Sequence, residues 1–234
     1  MRIYKCQFYE NNILVRDFIP VRKGTTGYMY DKVSGQLFGN SGTGDFISGN
    51  DIVEIEYLES TGTQYIDTGI NPDATTTITL DAQYTQQSNI YNCDNGLMIG
   101  GNARFHIGVY TNKFYYGCRS NYLTTISYDT DRHLFELSGD GTAKVDETSY
   151  TVSAQPLTTI NNPIYLYARN NGNNVNQYIN GFKIFRCLIK KDDVIVRDLI
   201  PVRIGTTGYI LDKITNQLFG NSGTGDFILG PDKI

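Results

Sequence analysis

The string Glu54-Ile55-Glu56-Tyr57-Leu58-Glu59 sets three carboxylates within six residues. Two carboxylates held about 5 Å apart on one strand can cleave a glycosidic bond with retention, one as nucleophile and the other as acid and base. Here the string opens the longer part of the chain instead of lying deep within it. With no Trp in the sequence, no indole offers a sugar platform, and the expectation is no enzymatic activity. His106 and His133 are the two histidines, so a Ser-His-Asp or Cys-His site has to use one of them, and neither sits in a nucleophile context. Cys6, Cys93, Cys118 and Cys187 are too sparse for a disulfide framework and show no C-x-x-C zinc spacing. They read as buried thiols, with a Cys93–Cys118 bridge left open. Asp94, Asp140 and Asp146 form no dense acidic loop, so no calcium site, other metal or cofactor is expected.

The residue types favour binding. Eighteen Tyr among abundant Asn, Gly and Thr make up the chemistry of adaptable polar recognition surfaces. In Arg104-Phe105-His106-Ile107-Gly108-Val109-Tyr110, alternation places Arg104, His106 and Tyr110 on one exposed face and Phe105, Ile107 and Val109 on the other. Tyr can stack on a pyranose while Arg and His donate to its hydroxyls; the same pattern also suits a solvated outer sheet. A second candidate is the Asn-rich loop, with Arg169, Asn171, Asn174 and Tyr178. Its amides pair donors with acceptors, though Asn-Gly-Asn runs equally supply the positive φ of turns.

The elements that must carry these residues are strands. Thr77 to Tyr84 alternates, with Ile78, Leu80, Ala82 and Tyr84 on one face. Residues 104–110 and 113–116 read as a hairpin turning at Thr111-Asn112, and 133–137 with 143–146 as another around Gly139 and Gly141. Ile164 to Ala168 and Tyr178 to Ile189 read as strands flanking the Asn-rich loop. No window sustains a 3.6-residue period, so the class is all-β, a sandwich or jelly roll. A net charge of −4 without a Lys/Arg cluster excludes the footprint of a nucleic-acid binder. No run of ~20 apolar residues and no signal peptide is present, so membrane insertion is not expected.

Ile3 to Gly49 returns at Ile184 to Gly230 with a constant offset of 181, and 29 of 47 positions are identical. The spacing is too long for a solenoid unit and suits a whole sandwich domain. Residues 1–50 therefore read as the C-terminal hairpin and glycine-rich tail of a preceding copy, and 51–234 as one complete domain, with identical chains or neighbouring repeats as partners. The expectation is that 1–50 contributes little to the core of the complete domain.

Glu56 to Gly69, reading Glu-Tyr-Leu-Glu-Ser-Thr-Gly-Thr-Gln-Tyr-Ile-Asp-Thr-Gly, resembles the opening of a LamG-like, concanavalin A-like sandwich family of phage tail and gut-bacterial surface proteins. Arg197 to Pro201, Gly208 to Asp212 and Asn221 to Phe227 are similar to its closing strands and terminal glycine-rich turn. Asp131-Arg132-His133, Asp140-Gly141 and Val145-Asp146 resemble its central pattern, with Arg132 where the family has Trp. The resemblance implies an antiparallel jelly-roll sandwich and a carbohydrate-recognition or adhesion module of a phage tail fibre or surface protein. Its partner would be a cell-surface or wall glycan, and its location a virion tail or the extracellular surface. A structural fibre spacer without a ligand is the alternative. A further one is a glycoside hydrolase, because laminarinase-type enzymes share this architecture and carry a similar carboxylate string.

Overall fold

The segment Thr76–Tyr84 shows how the sequence makes this fold: every second side chain, from Thr76 through Ile78, Leu80 and Ala82 to Tyr84, is buried. That two-residue period is what a strand with one face on a core requires. The computed structural model describes residues 2–46, 51–86, 93–94, 104–110, 112–119 and 121–233. Among them there is no helix, and so none long and apolar enough to cross a membrane.

The chain opens with β1 (Cys6–Glu10), β2 (Ile13–Lys23), β3 (Thr26–Asp31) and β4 (Leu37–Phe38), then β5 (Asp51–Glu54), β6 (Leu58–Thr61), β7 (Ile66–Asp67) and β8 (Thr76–Tyr84). Next come β9 (Cys93–Asp94), β10 (Phe105–Tyr110), β11 (Lys113–Cys118) and β12 (Asn121–Ser127). They lead into β13 (Arg132–Ser138), β14 (Thr142–Val145), β15 (Thr148–Thr151), β16 (Tyr165–Leu166), β17 (Ala168–Asn171) and β18 (Asn174–Tyr178). The closing set is β19 (Asn180–Lys191), β20 (Val194–Ile204), β21 (Thr207–Asp212), β22 (Gln217–Phe219) and β23 (Ile228–Leu229).

One large sheet runs β15-β14-β13-β8-β19-β20-β5-β2-β3-β4, and a second runs β12-β11-β10-β9. Phe105, Ile107 and Val109 of β10 and Phe114 and Tyr116 of β11 share one core with Ile78 and Leu80 of β8, Phe135 of β13 and Ile189 of β19. Two sheets closing over one apolar layer is the packing of a β-sandwich. Pairing is antiparallel except for a short parallel contact of β2 with β5 (Arg22↔Asp51, Lys23↔Ile52).

The expected strand from Ile164 to Ala168 is broken into β16 and β17, because Tyr167 between them takes φ 67°. Likewise the strand expected from Tyr178 to Ile189 divides at Ile179, with Gly181 at φ 68°. Cys118 and Cys187 are buried free thiols, whereas Cys6, expected to be buried as well, is only half-buried; burial pushes the Cys118 thiol up to about 11. The Cys93 side chain lies outside the described residues, as does Gly49 at the expected domain boundary.

Particular hydrogen bonds recur at the offset of 181. Asp31 accepts from Asp17 N (2.8 Å), Val33 N (3.2 Å) and Ser34 Oγ (2.6 Å), and Asp212 accepts from Asp198 N (3.0 Å), Ile214 N (3.1 Å) and Thr215 Oγ1 (2.7 Å). Arg22 grips Asp51 and Arg203 grips Asp232 with the same offset. The two copies sit back to back. Val21, Tyr30, Val202, Leu211 and Leu218 form a second apolar cluster with Ile52 of β5, and Gln36 bridges its own counterpart Gln217. Gly35 permits this approach, since a Cβ there would meet the Leu218 carbonyl at 2.5 Å. Burying each large side chain in the seam is worth at most about 1.5 to 3 kcal/mol, enough in sum to hold the first copy on the second. None of the described residues 2–46 enters the main core.

Candidate functional site

His106 is fully buried, which corrects the expectation that it shares an exposed face with Arg104 and Tyr110. Alternation assigns the correct face, opposite Phe105 and Ile107, but that face is covered. His106 pairs across the ladder with Gly117, and the ring occupies the space a side chain there would need: a Cβ on Gly117 would meet it at 2.5 Å. The Tyr115 ring lies over it, centroids 4.4 Å apart. Burial, reinforced by the charges of Arg104 and Arg169, pushes the His106 imidazole down to about 3, so it is neutral. Among the described residues neither ring nitrogen has a hydrogen-bond partner.

Around this imidazole the fold gathers several of the expected residues. Arg104 Nη1 donates to Tyr115 Oη at 3.2 Å, and Tyr110, partly exposed, packs 5.7 Å from Tyr115. Arg169 comes from β17 and donates to Gln177 Oε1 at 3.3 Å. Its charge, like that of Arg104, reaches His106. The spacing of residues 104–110 indicates the strand face but not Tyr115, which arrives from the partner strand.

The Asn-rich loop is a tight hairpin, because Gly172 (φ 63°) and Asn173 (φ 64°) supply the two positive-φ positions of a type I′ turn between β17 and β18. Asn171 and Asn174 sit exposed at its tip, with Asn174 Nδ2 donating back to Gly172 O at 3.2 Å. Asn170 is buried and structural, donating to Pro163 O and accepting from Asn173 N. Tyr178 does not join the His106 group. It stacks with Tyr65 at 6.3 Å, and Tyr65 packs on Tyr165 at 4.8 Å. Asp67 beside them is raised from its ordinary value by burial, with the Gly69 N–H opposing. This aromatic and acidic group had no signal in the sequence, since its members lie some 110 residues apart.

A cleft of ≈ 570 Å³ lies away from the His106 group, on the seam between the two copies, sharing Asp67 with the Tyr65 group and lined also by Tyr30, Tyr209, Phe219, Asn221 and Asp226 among others. None of the seven expected binding residues lines it. Volume alone does not make it the binding site; its wall joins residues 32–35 of the first copy to residues 217–223 of the second.

The carboxylate string does not lie on one strand: Glu54 ends β5 and Glu59 lies on β6. Lys233 Nζ holds Glu54 at 2.8 Å, and Thr85 Oγ1 donates to Glu59 at 2.9 Å. The paired-carboxylate geometry of one retaining strand is therefore not formed by these two residues. Arg132 lies 3.7 Å above the Phe185 ring and donates twice to Asp81 at 2.6 Å. His133 bridges Asp146 (Nδ1, 2.7 Å) and Asp129 (Nε2, 2.8 Å). Its ring nitrogens point to different carboxylates, and among the described residues no group of three ligands gathers for a metal.

Partial burial opposes charge on His133, but hydrogen bonds and attraction from the two aspartates win and raise it above 6.5. A raised folded-state value stabilises fully below the unfolded value and is lost as pH rises through the folded one. The melting temperature should therefore decline as pH rises from the ordinary imidazole value through the raised one, and His133→Gln should flatten that decline. An unchanged slope in the variant would refute the assignment.

No protein-family model, no curated protein and no solved structure matches this chain.

Proposed function

We propose that this chain is a non-catalytic carbohydrate-recognition or adhesion module of the LamG-like, concanavalin A-like kind, carried by a phage tail fibre or related surface protein. The observation that carries the reading is the grouping of Arg104, Tyr110, Tyr115 and Arg169 around the buried, neutral His106. A partly exposed Tyr beside guanidinium donors suits a sugar ring, which offers an apolar face and a rim of hydroxyls. Asn171 and Asn174 at the hairpin tip add amide donors and acceptors. Single-site affinity is weak and is raised by presenting several modules together.

Isothermal titration against host-wall polysaccharide tests this. Binding is expected to persist in EDTA and to weaken about tenfold, roughly 1.4 kcal/mol, in Tyr110→Ala. Tyr178→Ala, on the separate Tyr65 stack, reports whether that second aromatic group belongs to the same site. Binding abolished by chelation and untouched by both substitutions would refute the assignment. The spacer reading draws support from a different observation, the apolar seam that joins the two copies.

A further inference from the structure

The two copies of the repeat have the same strands but different surroundings. In the second copy the inward face is closed: Ile184 is 1 % exposed, Ile189 0 % and Phe227 6 %. Their counterparts at the offset of 181 are Ile3 at 44 %, Phe8 at 52 % and Phe46 at 50 %. The first copy is not misfolded, for it keeps the β1–β2 register, including the shift at Phe8/Tyr9 that matches the one at Ile189/Lys190.

What closes the second copy is the body of residues 51–183. β8 pairs along β19, setting Leu80 opposite Cys187 and Ile78 opposite Ile189, and β6 sets Leu58 opposite Ile184. Among the described residues β1 pairs with β2 alone, so its outer edge is open. The glycine-rich tail repeats the contrast. Asn221 to Phe227 is clasped by Thr63, Gln64 and Tyr65: Thr224 N donates to Thr63 O (2.9 Å), Gln64 Nε2 to Asp226 O (3.0 Å) and Tyr65 N to Asn221 Oδ1 (3.1 Å). The identical tail Asn40 to Phe46 keeps its internal turn, with Asn40 Nδ2 donating to Gly44 O, yet every residue of it is exposed.

We infer that residues 3–46 are the docking face for a further body of the 51–183 kind. That body would pair an alternating strand like β8 with β1, cover Ile3, Cys6, Phe8 and Phe18, and clasp the Asn40–Phe46 tail with a Thr-Gln-Tyr segment. A second copy of this chain does not serve, because each chain brings two such motifs and one body. Covering Ile3 and Phe8 in one chain would uncover Ile184 and Ile189 in another. In the covered copy the body precedes its motif, so the source is a body joined ahead of Ile3. This inference stands independently of the proposed glycan site, whose strands are β10, β11, β17 and β18.

The test is a polypeptide of residues 51–183 spliced directly before Ile3 of the full chain, since Lys183 precedes the counterpart of Ile3. Mass-resolved thiol labelling and amide exchange are read at Cys6 and across β1. The spliced body should fold cooperatively, and Cys6 labelling and β1 amide exchange should slow at least tenfold towards those of Cys187 and β19. A spliced body that stays unfolded, or that folds while Cys6 keeps its reactivity, overturns the proposal. Cys6 becoming protected in the unspliced chain as concentration rises would overturn it too, making self-association the occupant.

Discussion

Replacing Tyr167 with Ala is expected to cost about 3 to 5 kcal/mol of folding stability, the range for truncating a large core aromatic. Tyr167 is fully buried, packs against Phe227 at 4.9 Å and Phe182 at 6.0 Å, and donates to Leu58 O at 2.9 Å. It thereby ties the opening segment, the β16–β17 step and the closing tail to one point. Its φ of 67° is unfavourable for any residue with a Cβ, by about 1 kcal/mol or more. Alanine loses the ring but keeps that strain, whereas glycine loses the ring and relieves it. Tyr167→Gly should therefore be no more destabilising than Tyr167→Ala, the reverse of the order expected inside an ordinary strand. Tyr167→Phe removes only the hydrogen bond and should cost about 1 kcal/mol. Urea unfolding of the three variants decides it; a cost below about 1 kcal/mol for alanine would mean that the ring does not anchor these segments.

The alternation of Thr76–Tyr84 and the hairpins at 105–118 and 132–145 were legible because a half-buried strand writes its burial into every second residue. Tyr167 was not, since nothing in a run such as Ile164-Tyr165-Leu166-Tyr167-Ala168 marks a left-handed residue, and the strain is sustained by contacts distant in sequence. His106 shows a different limit. Its face follows from alternation, but its burial depends on Gly117 and Tyr115 of the neighbouring strand and on Arg169 of a distant hairpin. The seam between the copies did have a signal. Leu199-Ile200-Pro201-Val202 and Phe18-Ile19-Pro20-Val21 are apolar on both faces of their strands, as a strand between two cores must be. Leu199 faces the sandwich and Ile200 the seam; in the first copy Ile19 and Val21 face the seam, while Phe18, edge-on to Phe8 and Phe38, has no second sheet over it among the described residues.

Asp212 and Asp31 form a matched pair within one molecule, and their alanine variants should differ sharply. Both carboxylates are fully buried, and each holds two backbone N–H groups and a hydroxyl across the turn of its hairpin. Arg197 faces Asp212 at 3.5 Å with 17 % of its side chain exposed, while Arg16 faces Asp31 at 3.1 Å with 45 % exposed. Asp212→Ala leaves the Asp198 and Ile214 N–H groups without their acceptor, and leaves a poorly solvated guanidinium beside them. A cost of about 3 to 5 kcal/mol in global unfolding is expected. Asp31→Ala removes the same bonds from a motif whose inward face is already open and whose arginine is screened by water. Its effect on the main transition should stay under about 1 kcal/mol, with faster amide exchange confined to β2 and β3, as for a segment that opens locally. Equal losses in the two variants would show that the first copy unfolds as one unit with the sandwich, through the seam of Val21, Tyr30, Val202 and Leu211.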